Sequence, residues 1–168
     1  METTHARGPD IPTSLTITSS SIADGRIQRV HACREQGGED QSLSLTVHGL
    51  PPETRFLCVI VDDPDAMKPT GKVWVHWNVF NIETRGEMVD FRAGQPLGGE
   101  VGLNSSGQAA YQGMCPPDGR HTYRLAVFAS RERLQVDTSK PWTLDDFQRA
   151  YGNRTIGSAQ VSAQFGGD

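Results

Sequence analysis

The sequence predicts a mainly β domain, and three observations lead to that prediction. The 168 residues include 18 glycines and 10 prolines without a repeat, a composition typical of many turns and short strands. Short apolar or alternating segments recur along the chain, as they do in strands. Only one segment has the signals of a helix. A chain of this length favours one domain with a sizeable core.

The predicted strands lie at 15–18, 43–47, 56–61, 73–82, 123–129 and 156–165. The first two segments alternate between apolar and polar side chains, which indicates a strand with one buried face. Residues 56–61 are continuously apolar, which indicates a strand buried on both faces. Residues 73–82 are rich in β-branched and aromatic residues, 123–129 form a further strand, and 156–165 alternate small and apolar residues. The sum is a mostly antiparallel β domain.

The predicted helix lies at 143–151. Thr143 can cap it, Asp145 and Asp146 suit its positive end, and Gly152 can end it. Residues 94–113 form a glycine-rich stretch without periodicity, and loops of that length are usually functional or disordered. Residues 1–12 are expected to form a flexible arm, and residues 13–168 a single domain.

Charge and composition exclude several classes of protein. The net charge is −4 and the basic residues are scattered, which argues against a surface that binds nucleic acid. Residues 1–12 lack the apolar core of a signal peptide, and no stretch reaches the roughly 18 apolar residues of a membrane span. The sequence therefore predicts a cytoplasmic protein without a membrane span.

The three cysteines agree with a reducing compartment and form no zinc pattern. Cys58 lies in an apolar segment and is expected to be a buried small hydrophobe. Cys33 and Cys115 both lie near turn-rich segments. They could approach each other, but separate free thiols are the favoured interpretation. Neither a metal nor a cofactor is predicted.

The first candidate site segment begins where the buried strand ends. Asp63-Pro64-Asp65 follows this strand directly, and Asp-Pro sequences start turns. A strand-ending turn is therefore the simplest interpretation. The functional interpretation needs a carboxylate held at the rim of the sheet, and the neighbouring Asp62 is a second candidate for it.

The next strand carries a histidine between two tryptophans. By alternation, Trp74 and His76 share one face, and Val75 and Trp77 share the other. His76 could be a satisfied core histidine. Its aromatic neighbour on the same face instead indicates the wall of a pocket.

The second candidate segment runs from Gly113 to Tyr123. His121 and Tyr123 lie two residues apart and share a face at the start of a strand. Pro116 and the following residues fix the incoming loop. Gly113 permits close backbone approach, and its amide could donate to an oxyanion. Each segment alone is ambiguous, so the functional interpretation requires the two to meet.

These motifs resemble the phosphatidylethanolamine-binding protein family, in its bacterial and archaeal, Raf-kinase-inhibitor-like branch. The matching motifs are Asp63-Pro64-Asp65-Ala66, Val75-His76-Trp77, Gly102-Leu103-Asn104-Ser105, and the segment from Tyr111 through His121 to Tyr123. The resemblance spans roughly residues 14–165. It implies a β-sandwich of a large and a small, mostly antiparallel sheet with minor helix.

The resemblance also implies a ligand site. Its residues would be Asp63, His76, Gly113, His121 and Tyr123, with Trp74 and Pro116 as walls and Asp65 as a brace for the turn. Family members are generally described as binders of phosphorylated head groups or proteins, not as established enzymes. Met67 and Thr122 stand where the family usually has proline and arginine. The missing arginine leaves neutral, polar or carboxylate-bearing ligands open.

The sequence therefore predicts a protein that binds a small ligand, phosphorylated or with another oxyanion group, in a surface pocket. A histidinium beside Asp63, the Tyr123 hydroxyl and the Gly113 amide would supply three donors. A kinase or other protein is a candidate partner, and the chain is expected to be a monomer or homodimer. The alternative is a lyase, cyclase or isomerase that uses Asp63 with His76 as an acid–base pair and Tyr123 to polarise a carbonyl.

Overall fold

Two β-sheets form the framework of the protein. The computed structural model describes residues 15–168, so the arm expected at 1–12 lies outside the described residues. The strands are β1 (Thr16–Thr18), β2 (Ile22–Ala23), β3 (Arg26–Ile27), β4 (Leu45–His48), β5 (Phe56–Asp63), β6 (Trp74–Glu83), β7 (Val89–Phe91), β8 (Glu100–Val101), β9 (His121–Ser130) and β10 (Gly157–Phe165). The helices are α1 (Met67–Thr70) and α2 (Leu144–Tyr151).

The small sheet has the strand order β1-β4-β7, and the large sheet has the order β2-β3-β10-β9-β5-β6-β8. The pairing is antiparallel except between β10 and β3. The predicted fold, a large and a small mostly antiparallel sheet with minor helix, is confirmed. The sequence missed β2, β3, β7 and β8 because strands of two or three residues are too short to establish a period.

Strand β5 is buried on both faces, as its continuous apolar sequence predicted. Leu57, Val59 and Val61 belong to the core cluster that also contains residues of the small sheet. Cys58 and Ile60 belong to a second cluster under α2, with Phe147 at its centre. The large sheet is therefore covered by the small sheet on one face and by α2 on the other. Each fully buried large apolar side chain stabilises the fold by about 1.5–3 kcal/mol.

Helix α2 begins where it was predicted to begin. The Thr143 hydroxyl accepts a hydrogen bond from the Asp146 amide at 3.1 Å, and a 3-10 helix, Gly152–Arg154, follows the last α-helical residue. The Asp62 carboxylate accepts from the Leu144 amide at 2.9 Å and ties the helix to β5. Within residues 15–168, no helix combines the length and the hydropathy that crossing a membrane requires.

A β-bulge interrupts β6 close to its first residue. Val61 lies opposite Trp77 and Asp62 lies opposite Val75, so His76 is the extra residue on β6. The prediction that Val75 and Trp77 share a face is therefore wrong. Trp77 packs in the core between the sheets, whereas Val75 lies on the Asp62 face. The bulge puts Val75 and Trp77 on opposite faces, an effect that simple alternation cannot anticipate.

Candidate ligand-binding site

A cavity of about 190 Å³ lies at one end of the large sheet. Because β5 is antiparallel to β6 and β9, the last residue of β5 lies beside the first residues of the other two strands. The loop at 112–117 and helix α1 close the remaining sides. The lining residues are Asp63, Ala66, Thr70, Trp74, His76, Gln112, Gly113, Cys115, Pro116, Pro117, His121 and Tyr123.

The structure brings together seven of the eight residues that the sequence assigned to the site. The eighth, Asp65, is exposed and does not line the cavity. Its carboxylate accepts from the Thr122 amide at 2.8 Å and so links the turn after β5 to β9. The residues that sequence reasoning missed are Ala66, Thr70, Gln112, Cys115 and Pro117. Four of these adjoin predicted residues in the chain, whereas Thr70 enters through α1, which had no sequence signal.

His121 lies between two carboxylates. Its Nδ1 is 2.6 Å from Oδ2 of Asp63, and its Nε2 contacts Oδ1 of Asp118. A neutral imidazole has only one N–H, so two donated bonds require the imidazolium. Burial lowers the pKa of His121, but the hydrogen bonds to Asp63 and Asp118 outweigh it, and the net effect raises this pKa. The three groups together carry a charge of about −1.

Asp63 is a fixed part of this arrangement. Its Oδ1 accepts from the Asp65 amide at 3.0 Å, while Oδ2 faces His121. Burial raises the pKa of Asp63, and the hydrogen bond and charge of His121 oppose that increase. Asp62 instead faces α2 and Arg124, so the carboxylate at the cavity is Asp63. The histidine that pairs with it is His121 rather than His76.

His76 is buried and neutral. Its Nδ1 lies 2.8 Å from the Gln112 carbonyl oxygen, which assigns the proton to Nδ1 and leaves Nε2 as an acceptor. Burial lowers the pKa of His76 to about 4, and the charge of His121 acts in the same direction. Its ring meets the Tyr123 ring edge-on, with 5.3 Å between the ring centroids. At neutral pH this side chain supplies no positive charge to the cavity.

Tyr123 has a buried hydroxyl that makes no hydrogen bond within the described part of the chain. The side chain is almost fully enclosed. Burial raises the pKa of this phenol, and the charge of Asp63 raises it further, so the hydroxyl stays protonated. A buried polar group without a partner destabilises a protein by about 1–3 kcal/mol. Tyr123 also lines the cavity, so a ligand there would lie next to this side chain.

The Gly113 amide does not have the role that the sequence predicted. It donates to Oδ1 of Asp40 at 3.0 Å and is not free for an oxyanion. Glycine is required here by packing, since an added Cβ would lie 2.4 Å from that same oxygen and 2.6 Å from the Ala32 carbonyl carbon. Cys115 also lines the cavity, and its amide makes no hydrogen bond within residues 15–168.

The indole of Trp74 forms a fixed wall. Its Nε1 donates to Oε1 of Gln112 at 2.8 Å, and Nε2 of Gln112 donates to the Ser106 hydroxyl at 2.8 Å. The ammonium of Lys72 lies 5.0 Å from the centroid of the indole. The glycine-rich stretch at 94–113, which had no periodicity, thus supplies side chains that hold the cavity wall.

Cys33 and Cys115 form a disulfide with 5.4 Å between their Cα atoms. The expectation of separate free thiols is therefore wrong. The two loops meet through a parallel bridge between Ala32 and Met114, a contact across 82 residues that leaves no local sequence signal. Cys58 is buried as predicted, and burial raises the pKa of its thiol to about 11. The disulfide anchors the loop that forms one wall of the cavity.

Comparison with known proteins assigns the family. A family model described as phosphatidylethanolamine-binding protein matches residues 18–166. The chain belongs to this family. The resemblance inferred from the two motifs is confirmed, and the match covers both candidate site segments.

Curated relatives in the family are UPF0098 proteins. One from Methanothermobacter thermautotrophicus is 35% identical over 141 residues, which cover 82% of this chain and 88% of the relative. The UPF0098 protein YbcL of Escherichia coli is 35% identical over 144 residues, covering 80% and 73%.

Solved structures agree with this assignment. A putative phosphatidylethanolamine-binding protein homologue from Chlamydia trachomatis, CT736, has a TM-score of 0.77 and 26% identity, covering 93% of this chain and 99% of that one. The structure of YbcL, described as a new member of the mammalian family, has a TM-score of 0.74 and 28% identity, covering 91% and 98%.

Proposed function

We propose that this protein binds a small ligand in the cavity through a phosphorylated or other oxyanion head group. The observation that carries the proposal is the buried hydroxyl of Tyr123, which has no partner within the described residues. A ligand oxygen that accepts from this hydroxyl would remove the penalty of about 1–3 kcal/mol. Thr54 and Thr84 also have buried hydroxyls without a partner in the described residues, but Tyr123 is the one that lines this cavity, which favours a ligand site here.

The remaining groups suit a head group of limited size. Cys115 lines the cavity and has an amide without a hydrogen bond in the described residues, and Trp74, Pro116 and Pro117 supply apolar surface. Pockets for drug-sized ligands measure about 300–1,000 Å³, so a cavity of about 190 Å³ suits a head group or fragment. The charge on the Asp63–His121–Asp118 group limits the attraction for anions. We therefore expect fragment affinities of roughly millimolar to micromolar.

The acid–base enzyme alternative loses the pair that it requires. Asp63 is bonded to His121 rather than to His76, and both His121 nitrogens contact carboxylates. A general acid or base must lie within hydrogen-bond reach of the proton that it transfers, and His76 has the Gln112 carbonyl as its partner in place of the predicted carboxylate. A lyase, cyclase or isomerase is therefore the weaker proposal for this geometry.

A protein partner such as a kinase is a further proposal that comes from the family resemblance. The surface next to the cavity includes Met67, which is 51% exposed on α1. Pull-down with wild-type protein and a Met67→Glu variant, followed by size-exclusion chromatography, tests the partner and the predicted monomer or homodimer state together.

The compartment also needs a test. The cytoplasmic prediction used the cysteines as evidence of a reducing environment, but two of them form a disulfide. Disulfides persist mainly in oxidising compartments. We therefore infer that this chain acquires its native state where thiols are oxidised. Protein trapped directly from its source cells is labelled at its free thiols. If the cytoplasmic prediction is right, Cys33 and Cys115 are both labelled, whereas an intact disulfide protects both.

The binding proposal is tested by titrating methyl phosphate and acetate into isotope-labelled protein and following backbone amide NMR shifts. We expect shifts at Cys115 and Tyr123 in the wild type, and at least about tenfold weaker binding in Tyr123→Phe, since a lost hydrogen bond to a charged group is worth about 1.5–3 kcal/mol. This variant should be at least as stable as the wild type because it removes an unpaired hydroxyl. Tyr151→Phe is the matched control, since the Tyr151 hydroxyl bonds the Gln135 carbonyl on the α2 side. Equal affinity in Tyr123→Phe and wild type would reject the proposal.

A further inference from the structure

His121 holds two carboxylates of very different exposure. The Asp63 side chain is 4% exposed, whereas the Asp118 side chain is 41% exposed. His121 lines the cavity and also a shallow depression beside it, and Asp118 lies in that depression. Asp63 is therefore a fixed internal partner, while Asp118 can exchange its contact with the imidazolium for water.

The position of Asp118 is the one that an oxyanion ligand would take. An imidazolium N–H forms short, charge-assisted hydrogen bonds with carboxylate or phosphate oxygens alike. In this chain the Nε2–H of His121 already donates to Asp118, three residues earlier on the same loop. Asp118 is the exposed member of this pair, and a ligand oxyanion in its place would keep the buried His121 Nε2 paired. A ligand oxyanion can thus replace Asp118 without disturbing the fold.

We propose that Asp118 is a specificity-determining residue that fills an oxyanion position on His121, so that an oxyanion ligand must displace it. This inference rests on the proposed function and adds a regulating side chain in the depression beside the cavity, on the second nitrogen of a residue that lines both. Nothing in the two sequence motifs pointed to Asp118, because its role depends on its contact with His121 rather than on its residue type.

Charge then determines which oxyanions are accepted. Replacement of Asp118 by a singly charged oxyanion leaves the charge next to His121 unchanged, whereas a doubly charged one adds a negative charge beside Asp63. Among the other charges of the depression, Asp65 opposes Lys68, and Arg120 shares Asp168 with Arg26, which lies nearer to that carboxylate. The site is therefore expected to favour carboxylates and phosphodiesters over phosphate dianions.

The test compares dimethyl phosphate and acetate, which carry one charge, with methyl phosphate, which is mostly doubly charged at pH 7. Binding is measured by amide NMR shifts in the wild type, in Asp118→Asn and in Asp118→Glu. We expect Asp118→Asn to bind all three oxyanions about tenfold more tightly, with the largest gain for methyl phosphate. Asp118→Glu retains the carboxylate and should resemble the wild type.

The matched control is Glu132→Gln, which removes one exposed negative charge beyond the opposite end of β9, roughly 30 Å from His121. It should leave all three affinities unchanged. Unchanged or weaker binding in Asp118→Asn would overturn the inference, as would an equal gain in Glu132→Gln. If Tyr123→Phe loses binding while Asp118→Asn gains none, the inference fails and the proposed function stands. If neither the wild type nor Asp118→Asn binds any oxyanion, both fail.

Discussion

At the residue scale, the two histidines of the cavity are in opposite protonation states although both are buried. His121 has carboxylates on both nitrogens and is charged, whereas His76 donates to a carbonyl oxygen and is neutral. Burial alone would favour the neutral form of both rings. The difference therefore arises from their hydrogen-bond partners, and it separates the pH ranges in which the two residues affect stability.

The His76 pKa predicts a loss of stability in acid. In the unfolded chain this residue takes up a proton below pH 6.5, but the native state resists until about pH 4. Stability should therefore fall between these values, by up to about 3 kcal/mol. His121, whose pKa is raised in the native state, stabilises the fold fully below pH 6.5, and this stabilisation is lost as pH rises through its native pKa.

Urea denaturation at pH 7, 5.5 and 4.5 checks this expectation in the wild type and in His76→Gln, which can still donate to the Gln112 carbonyl. The raised pKa of Asp63 acts in the opposite direction in acid, so the His76 contribution is read as the difference between the two proteins. His48→Gln, at an exposed position, is the control and should follow the wild-type profile. Parallel profiles for wild type and His76→Gln would contradict the prediction.

At the element scale, Asp62 connects strand β5 to strand β9 and to helix α2. Its carboxylate accepts from Nε of Arg124 at 2.7 Å and Nη2 at 2.8 Å, and from the Leu144 amide at 2.9 Å. Strands β5 and β9 and the first turn of α2 therefore share one buried acceptor. The Asp62 side chain has no exposed surface, so these bonds are shielded from water.

Replacement of Asp62 by Ala should destabilise the protein by about 3–5 kcal/mol, because it leaves the largely buried Arg124 guanidinium without its carboxylate partner. Asp145 is the other carboxylate near Arg124; its side chain is 64% exposed and lies 3.4 Å from the guanidinium. Asp145→Ala should therefore change stability by less than about 1 kcal/mol. Equilibrium urea unfolding measures both. Equal effects of the two substitutions would show that the Asp62 bonds have no special weight.

At the scale of the whole molecule, the sequence predicted what depends on local pattern and missed what depends on distant contacts. The long strands and helix α2 follow from periodicity and capping residues, and the convergence of Asp63, His76 and Tyr123 follows from the family resemblance together with the shared strand faces. The bulge at His76 could not be predicted, because it is a property of the pairing between two strands. The bond from the Gly113 amide to Asp40 is likewise a contact between distant loops, and so was invisible in the sequence.

The disulfide is the largest of these unpredicted features. It closes a loop of 82 residues and should stabilise the protein by about 2–5 kcal/mol. The Cys33→Ser/Cys115→Ser double variant should therefore unfold at lower urea concentration and show broader amide signals at 112–117. Cys58→Ala removes the third cysteine and keeps the disulfide, so it is the control. Dithiothreitol should destabilise the Cys58→Ala variant as much as the wild type. Dithiothreitol should have no effect on the double variant, and any further destabilisation there would contradict the assignment.

Cys115 belongs to the cavity wall and to the disulfide at the same time. Any change in ligand affinity on reduction must be matched by an equal change in the ease of reduction on ligand binding, because coupling free energies are reciprocal. A ligand that prefers the oxidised protein would protect the disulfide from a thiol reductant in proportion to that preference. Reductant resistance of this bond would then report cavity occupancy without any label on the ligand.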